Sequence, residues 1–232
     1  MAQPALPAID ANGFAEAISS LHRQALARLG PADLRHLRRI IWVNRACTLL
    51  GYATAWLCPN PVSAYLLSQG IFGRWLIMHH VSHGGYDHVP GVPARFTSAV
   101  FAQGRRRWRD WFDWIVPAAW DHEHNVMHHA YTGELADPDL VEDHAELLRR
   151  LAWPRWANLL FVAFFACTWK ILYYAPNTLA ALARGAQPAP PAGDRGLGQL
   201  VWEHGLDLRR PLVRRLWWQC YLPYGLVAFV LI

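Results

Sequence analysis

The chain has 232 residues, enough for one domain of ordinary size. It is 53% hydrophobic with thirteen Trp, has a formal charge of +5 and a pI near 9.3. Its arginines sit beside apolar runs (Arg38, Arg39; Arg214, Arg215), which favours a membrane surface and argues against nucleic acid as the anionic partner. Lys170 is the only lysine, a compositional hint of a GC-rich bacterial genome. Cys47, Cys58, Cys167 and Cys220 form no CxxC pair and lie in or beside apolar segments. They read as buried thiols, neither a disulfide framework nor metal ligands. The N-terminus has no basic head followed by an apolar core, so no cleavable signal is expected.

In chain order, residues 1–39 read as an N-terminal cytoplasmic segment, basic and amphipathic over its second half, and residues 40–232 as a membrane domain. Ile40–Leu57 is the first candidate span, with Arg45 near enough to one end to reach the headgroups. A turn at Cys58–Pro61 returns the chain through Val62–Met78, giving a transmembrane helical hairpin. Arginine is abundant before Ile40 and absent from the turn, which places residues 1–39 and the histidines after Met78 on the cytoplasmic side. The polar stretch 79–154 is expected there too, with its Trp-rich part from Arg107 to Trp120 lying on the bilayer surface. Trp156–Pro176 is apolar but contains Lys170. The following loop, 177–215, carries six arginines, so 156–176 is read as re-entrant or interfacial. "GAQPAPPAGDRGLG" is a Pro/Gly-rich linker, and Leu216–Ile232 begins another span. The expected fold is therefore all-α and integral to the membrane, with a cytoplasmic helical cap.

Eight of the twelve histidines fall in two clusters, "MHHVSHGGYDH" (Met78–His88) and "DHEHNVMHH" (Asp121–His129). In a helix, residues i and i+4 share a face, so His79 can converge with His83, and His124 with His128. Adjacent His128 and His129 point in different directions and can serve neighbouring ions. Neutral imidazole suits iron, zinc, copper and nickel. No HExxH is present, which argues against a zinc-protease helix. Metal ligation is expected of His79, His83, His124, His128 and His129. His80, His88, His122, Glu123, Asn125, Asp137 and Asp139 are candidates for ligation or for hydrogen bonds that orient the ligands. His22, His36, His144 and His204 read as ordinary surface or structural residues.

"HHVSH" resembles the HxxxH first box of the membrane fatty acid desaturase and hydroxylase superfamily. "EHNVMHHAYTGELADPDLVE" resembles its second box, HxxxHH, with an acidic continuation. The resemblance covers roughly residues 40–176. It implies a non-haem di-iron centre of two Fe ions at the cytoplasmic ends of membrane helices, and O2-dependent desaturation of a fatty acyl chain carried as a lipid or thioester. That is an oxidoreductase of lipid metabolism in a bacterial inner membrane. Electrons would come from a separate donor protein, since the chain has no Cys-rich iron–sulfur motif or haem module. Two departures stand out. His80 occupies a position where the family often has an acidic residue, and the third box, HxxHH or QxxHH, does not occur. The expectation is a chain incomplete at its C-terminus and inactive alone. The alternatives are a di-iron hydroxylase of a lipid or hydrocarbon, a non-catalytic metal-binding membrane protein, and a zinc-dependent membrane enzyme.

Overall fold

The computed structural model describes residues 10–56, 58, 60–140, 149, 153–185 and 207–227. Among the described residues the protein is all-helical, with no strand. Asp10 caps helix α1 (Ala11–Ala27) by accepting from the Gly13 N–H at 2.9 Å, and α1 buries nothing. Gly30 and Pro31 break the path and restart it. Pro31, with no N–H to leave unsatisfied, opens α2 (Pro31–Ala55), and the Asp33 carboxylate accepts from the Gly30 N–H at 2.8 Å. The segment expected to end at residue 39 and the apolar stretch after it are therefore one continuous helix.

Asn60 caps α3 (Pro61–Ser82), accepting from the Ser63 N–H at 2.9 Å. The two segments expected to form a transmembrane hairpin pack as an antiparallel helical pair, α2 against α3. Small residues set its closeness. A Cβ on Gly73 would collide with the Asn44 side chain, and one on Gly70 with Thr48 Oγ1. Such contacts let two helix backbones approach.

A helical path over residues 117–131, α4, joins Pro117–Trp120, a π-helical stretch Asp121–His128, and His129–Tyr131. Helix α5, Arg155–Arg184, includes a second π-helical stretch at Lys170–Tyr174. It is long and apolar enough to cross a membrane, and among the described residues it alone meets that test. The segment expected to be re-entrant, 156–176, is part of this helix. The arms of the hairpin fall short because charged and polar side chains interrupt them: Arg38, Arg39 and Arg45 in α2, and Gln69 and Arg74 in α3. Residues 211–225, α6, pack with the second half of α5, which also meets α4. The linker "GAQPAPPAGDRGLG" lies outside the described residues but for its first residue, Gly185, and His144 and His204 lie wholly outside them.

The core corrects one expectation. Trp111, Trp114, Ile115 and Trp120 do not lie on a bilayer surface; each is at most 1% exposed. They pack with Met78 and Val81 of α3, Leu179 of α5 and Leu216 of α6. Arg107, itself buried, holds this segment in place. Its guanidinium donates to the carbonyls of Trp111, Asp113 and Ile115 at 2.9–3.1 Å and to that of Gln219 in α6. A Trp-rich run reads equally as interface or core from composition, and here buried partners from three helices decide it. The thiols need a similar correction. Cys220 alone is buried; Cys58, at the hairpin turn, and Cys167, on the outer side of α5, are exposed.

Candidate metal centre

Helix α3 ends within the first histidine cluster, with His79 and His80 in its last turn. The Gly85 N–H donates to the His80 carbonyl and the Gly84 N–H to that of Val81, both at 3.0 Å, while Gly84 takes φ +73°. This paired closure with a left-handed residue just past the cap is the Schellman arrangement, which glycine adopts without steric cost. It leaves His83 as the cap residue, one turn beyond His79. The two rings stand 4.5 Å apart.

The second cluster reaches them from α4. The His124 ring lies 5.3 Å from that of His79 and 5.1 Å from that of His83. The geometry departs from the expected α-helical i, i+4 face, since Asp121–His128 is π-helical. Its i to i+5 bonding widens the turn. His124 thereby meets both His128, at 5.2 Å, and His129, at 4.8 Å. His129 in turn stands 4.9 Å from His83. One side chain from each of His79, His83 and His124 offers a nitrogen within 4.8 Å of the other two. His79 Nδ1 and His124 Nδ1 are buried and make no hydrogen bond. Imidazole nitrogens around one borderline cation stand roughly 3.3 Å apart, within reach of small side-chain movements.

Trp120, fully buried, forms the floor. It stacks on His124 at 4.5 Å with 26° between planes and meets His79 and His83 at 5.1 and 5.3 Å. His83 and His129 are exposed and mark the open side. Burial, reinforced by the neighbouring imidazoles of His83, His129, His79 and His128, pushes His124 down to about 3, and His83 is lowered for the same kinds of reason. Both rings are thus neutral at ordinary pH, the form that binds metal.

A carboxylate layer lies behind the histidines. Asp137 Oδ1 accepts from His128 Nδ1 at 2.8 Å, and its other oxygen accepts from the Gly133 N–H at 2.9 Å, where Gly133 has φ +78°. Burial raises Asp137, but the His128 contact and the backbone N–H groups of Gly133 and Asp139 outweigh it and hold the carboxyl below its usual range. An ionised Asp137 fixes the His128 proton on Nδ1 and leaves Nε2 free to bind.

Glu123 is 2% exposed, and the Tyr174 hydroxyl donates to its Oε2 at 3.3 Å. Tyr173 donates to the Pro138 carbonyl at 3.3 Å and contacts Asp139 Oδ1 at 3.4 Å. Glu123, His124 and Asp139 place one ligand atom each within 4.8 Å of one another. Burial, then the proximity of Asp139, raises Glu123; burial also raises Asp139. Two adjacent carboxyls in such a place require either a shared proton or a cation.

The remaining candidates stand apart. Asn125 joins the two motifs without touching the rings: its Nδ2 donates to the Ser82 carbonyl at 3.1 Å and to Asp121 Oδ1. His80 is exposed, with its ring 5.5 Å from that of His79. His88 is exposed and His122 half-buried, and neither has a ring contact with the cluster. His22 and His36 are exposed. Trp120, Tyr173 and Tyr174 were not anticipated. The sequence signal for the tyrosines was a polar-tipped pair, with Lys170 close by, inside an apolar helix; such hydroxyls need a partner when buried. Comparisons of the chain with protein-family models, with curated proteins and with solved structures find no match.

Proposed function

We propose that the protein is a histidine-box membrane oxidoreductase that desaturates a fatty acyl chain with O2 and two electrons from a separate carrier protein. The observation that carries this reading is the convergence of His79 and His83 with His124, from motifs forty residues apart, with two buried ring nitrogens unsatisfied. The donor set fits non-haem iron, for which imidazole and carboxylate are suitable ligands. His79, His83 and His124 would hold one ion, with His129 and the Asp137-oriented His128 beside them. Glu123 and Asp139, next to His124, would supply the oxygen ligands of a second ion, and on that donor set we replace the expectation of an inactive chain with one of activity.

Iron bound there supplies the O2 activation needed to break an unactivated C–H bond. The balance is an acyl CH2–CH2, O2, two electrons and two protons giving CH=CH and two waters. The chain's own part is placement. Trp120 seals the inner side of the imidazoles, Asp137 fixes one tautomer, and exposed His83 and His129 leave one side open for substrate. In this reading α2, α3 and the first half of α5 contact the bilayer, with the histidines at its cytoplasmic side.

The test is expression with a ferredoxin-type donor and reductase, followed by gas chromatography of total fatty acids and metal analysis of the purified chain. Iron together with a new unsaturated acyl chain, both lost on His83→Ala, is the expected result. A hydroxylated product would move the reading to the hydroxylase. A single zinc with no product would support the zinc-enzyme alternative, for which a three-histidine site with an open position is also suited.

A further inference from the structure

A cavity lies on the other side of α3. On a helix, Arg74 and Ile77 stand three residues apart and share a face, whereas Ile77 and His79 point nearly opposite ways. The face carrying Arg74 and Ile77 closes a half-open cavity of about 990 Å3 against α2 and the 95–111 segment. Arg38, Arg45, Arg74, Arg95 and Arg109 line it. They come from four separate parts of the chain: α2, α3, the turn at Ala94–Phe96 and the one-turn helix Arg107–Asp110.

Four of the five guanidinium groups lining this cavity have no acidic partner among the described residues. Asp110, the lining carboxylate, is taken by Arg106 at 2.9 Å, and Arg74 pairs with Asp113 at 3.7 Å. Arg38, Arg45, Arg95 and Arg109 have no carboxylate within ion-pair distance among the described residues. Two of them lie over aromatic rings, Arg45 on Trp42 at 5.7 Å and Arg95 on Phe96 at 4.8 Å. Arg74 lies over Trp111 at 5.5 Å. Asn44, 9% exposed, lines the same cavity with its Nδ2 unbonded. The cavity is also graded. Arg38 lies toward the histidine end of α2, while Thr48 and Leu49 lie two or more turns further toward the hairpin turn. Trp42, Val43, Leu49 and Leu50 carry an exposed apolar surface along the same helix.

We propose that this cavity binds an anionic phospholipid, with the phosphate-bearing headgroup among Arg38, Arg45, Arg95 and Arg109 and an acyl chain running along α2 past Leu49. Charge complementarity selects the headgroup, because guanidinium forks match phosphate oxygens. The adjoining apolar wall selects an amphiphile over a free anion. The site is separate from the metal centre and does not depend on its chemistry.

The test uses the purified full chain, delipidated in a non-ionic detergent and titrated by native mass spectrometry with three lipids sharing the same acyl chains: phosphatidylglycerol, phosphatidylcholine and diacylglycerol. Phosphatidylglycerol is expected to bind on the order of tenfold more tightly than phosphatidylcholine, with diacylglycerol weaker still. Arg38→Gln/Arg95→Gln should remove most of that preference, since each basic side chain near a lipid surface contributes roughly fivefold. Neither side chain makes a hydrogen bond or ion pair among the described residues, and unchanged thermal unfolding in detergent would confirm folding. Arg45→Gln/Arg109→Gln is the second variant, should the first not fold. Equal binding of phosphatidylglycerol and phosphatidylcholine, or an unchanged preference in both variants, overturns the proposal. So does full displacement by millimolar inorganic phosphate, which would show a site for the free anion. His83→Ala should bind lipid as the unmodified chain does, so a failure of the metal reading and a failure of this one are told apart.

Discussion

His124 and Glu123 are neighbours in sequence, and burial pushes both toward their neutral forms. The consequences for stability run in opposite directions. The folded pKa of His124 lies near 3, below the unfolded value of 6.5. As pH falls through that window the unfolded chain takes up a proton that the folded chain refuses, so stability falls. The folded pKa of Glu123 lies above 4.5, so as pH rises past that point the unfolded chain releases its proton first and stability again falls. Glu123→Gln keeps an acceptor for Tyr174 and removes the second effect. In cation-free protein, urea unfolding should show the variant gaining on the parent as pH rises from 5 to 8, by about 1–3 kcal/mol at the upper end. A constant difference across that range would mean that Glu123 does not titrate as described. Asp137 makes a different prediction. Asp137→Ala leaves the His128 ring free to turn, and Co2+ or Fe2+ affinity should drop about 10–100-fold with little change in fold. That His79, His83 and His124 come close together could be read from spacing. Trp120, Tyr173 and Tyr174 could not, because what gives them a role is a partner that only the folded chain brings near.

At the level of elements, the hairpin was legible because its parts are local signals: apolar runs, Asn60 before Pro61, and a turn between them. The π-helical stretch at Asp121–His128 was not. Its widened turn is what lets His124 meet both His128 and His129, and no local propensity marks it. The Trp-rich segment was misplaced for a related reason. Composition says that Trp111, Trp114 and Trp120 leave water, but whether they enter lipid or protein depends on α5 and α6, far along the chain. The glycines of α3 offer a test of the hairpin. Gly70 faces both the Thr48 side chain and its backbone. A Cβ on Gly70 would stand only 3.2 Å from the Thr48 backbone nitrogen, so the neighbour has nowhere to go. Gly70→Val should cost about 1–3 kcal/mol by overpacking, against less than ~1 kcal/mol gained from helix propensity. Thermal unfolding in detergent measures this, with Phe72→Ala on the outer face as the control expected to change little. Equal stability of Gly70→Val and the parent would mean that the α2–α3 contact is not close-packed.

For the whole molecule, the decisive feature is where apolar side chains face outward. Trp42, Leu49 and Leu50 on α2, Ile71 and Phe72 on α3, and Trp156, Leu159, Leu160 and Phe164 on α5 are all exposed. Exposed apolar surface on that scale marks a contact with lipid or a partner. The second half of α5 turns its apolar residues inward instead: Tyr173, Tyr174, Ala175 and Leu179 are buried against the core that carries the histidines. The histidines thus sit at the inner end of a surface whose outer parts suit a bilayer. On the proposed reading, the arginine bias around α2, with none at the hairpin turn, would orient that surface with the histidines toward the cytoplasm. Cys58 makes the orientation measurable, because it is exposed at the hairpin turn. With Cys47 and Cys167 changed to Ser and buried Cys220 retained, a membrane-impermeant maleimide added to intact cells should label Cys58. In the same background with Cys58→Ser, Thr132→Cys lies just past the second histidine motif and is exposed, and it should label only after the cells are opened. Labelling of Thr132→Cys in intact cells, with Cys58 protected, would invert the topology and place the candidate metal site outside, away from the electron donor that the proposed function requires.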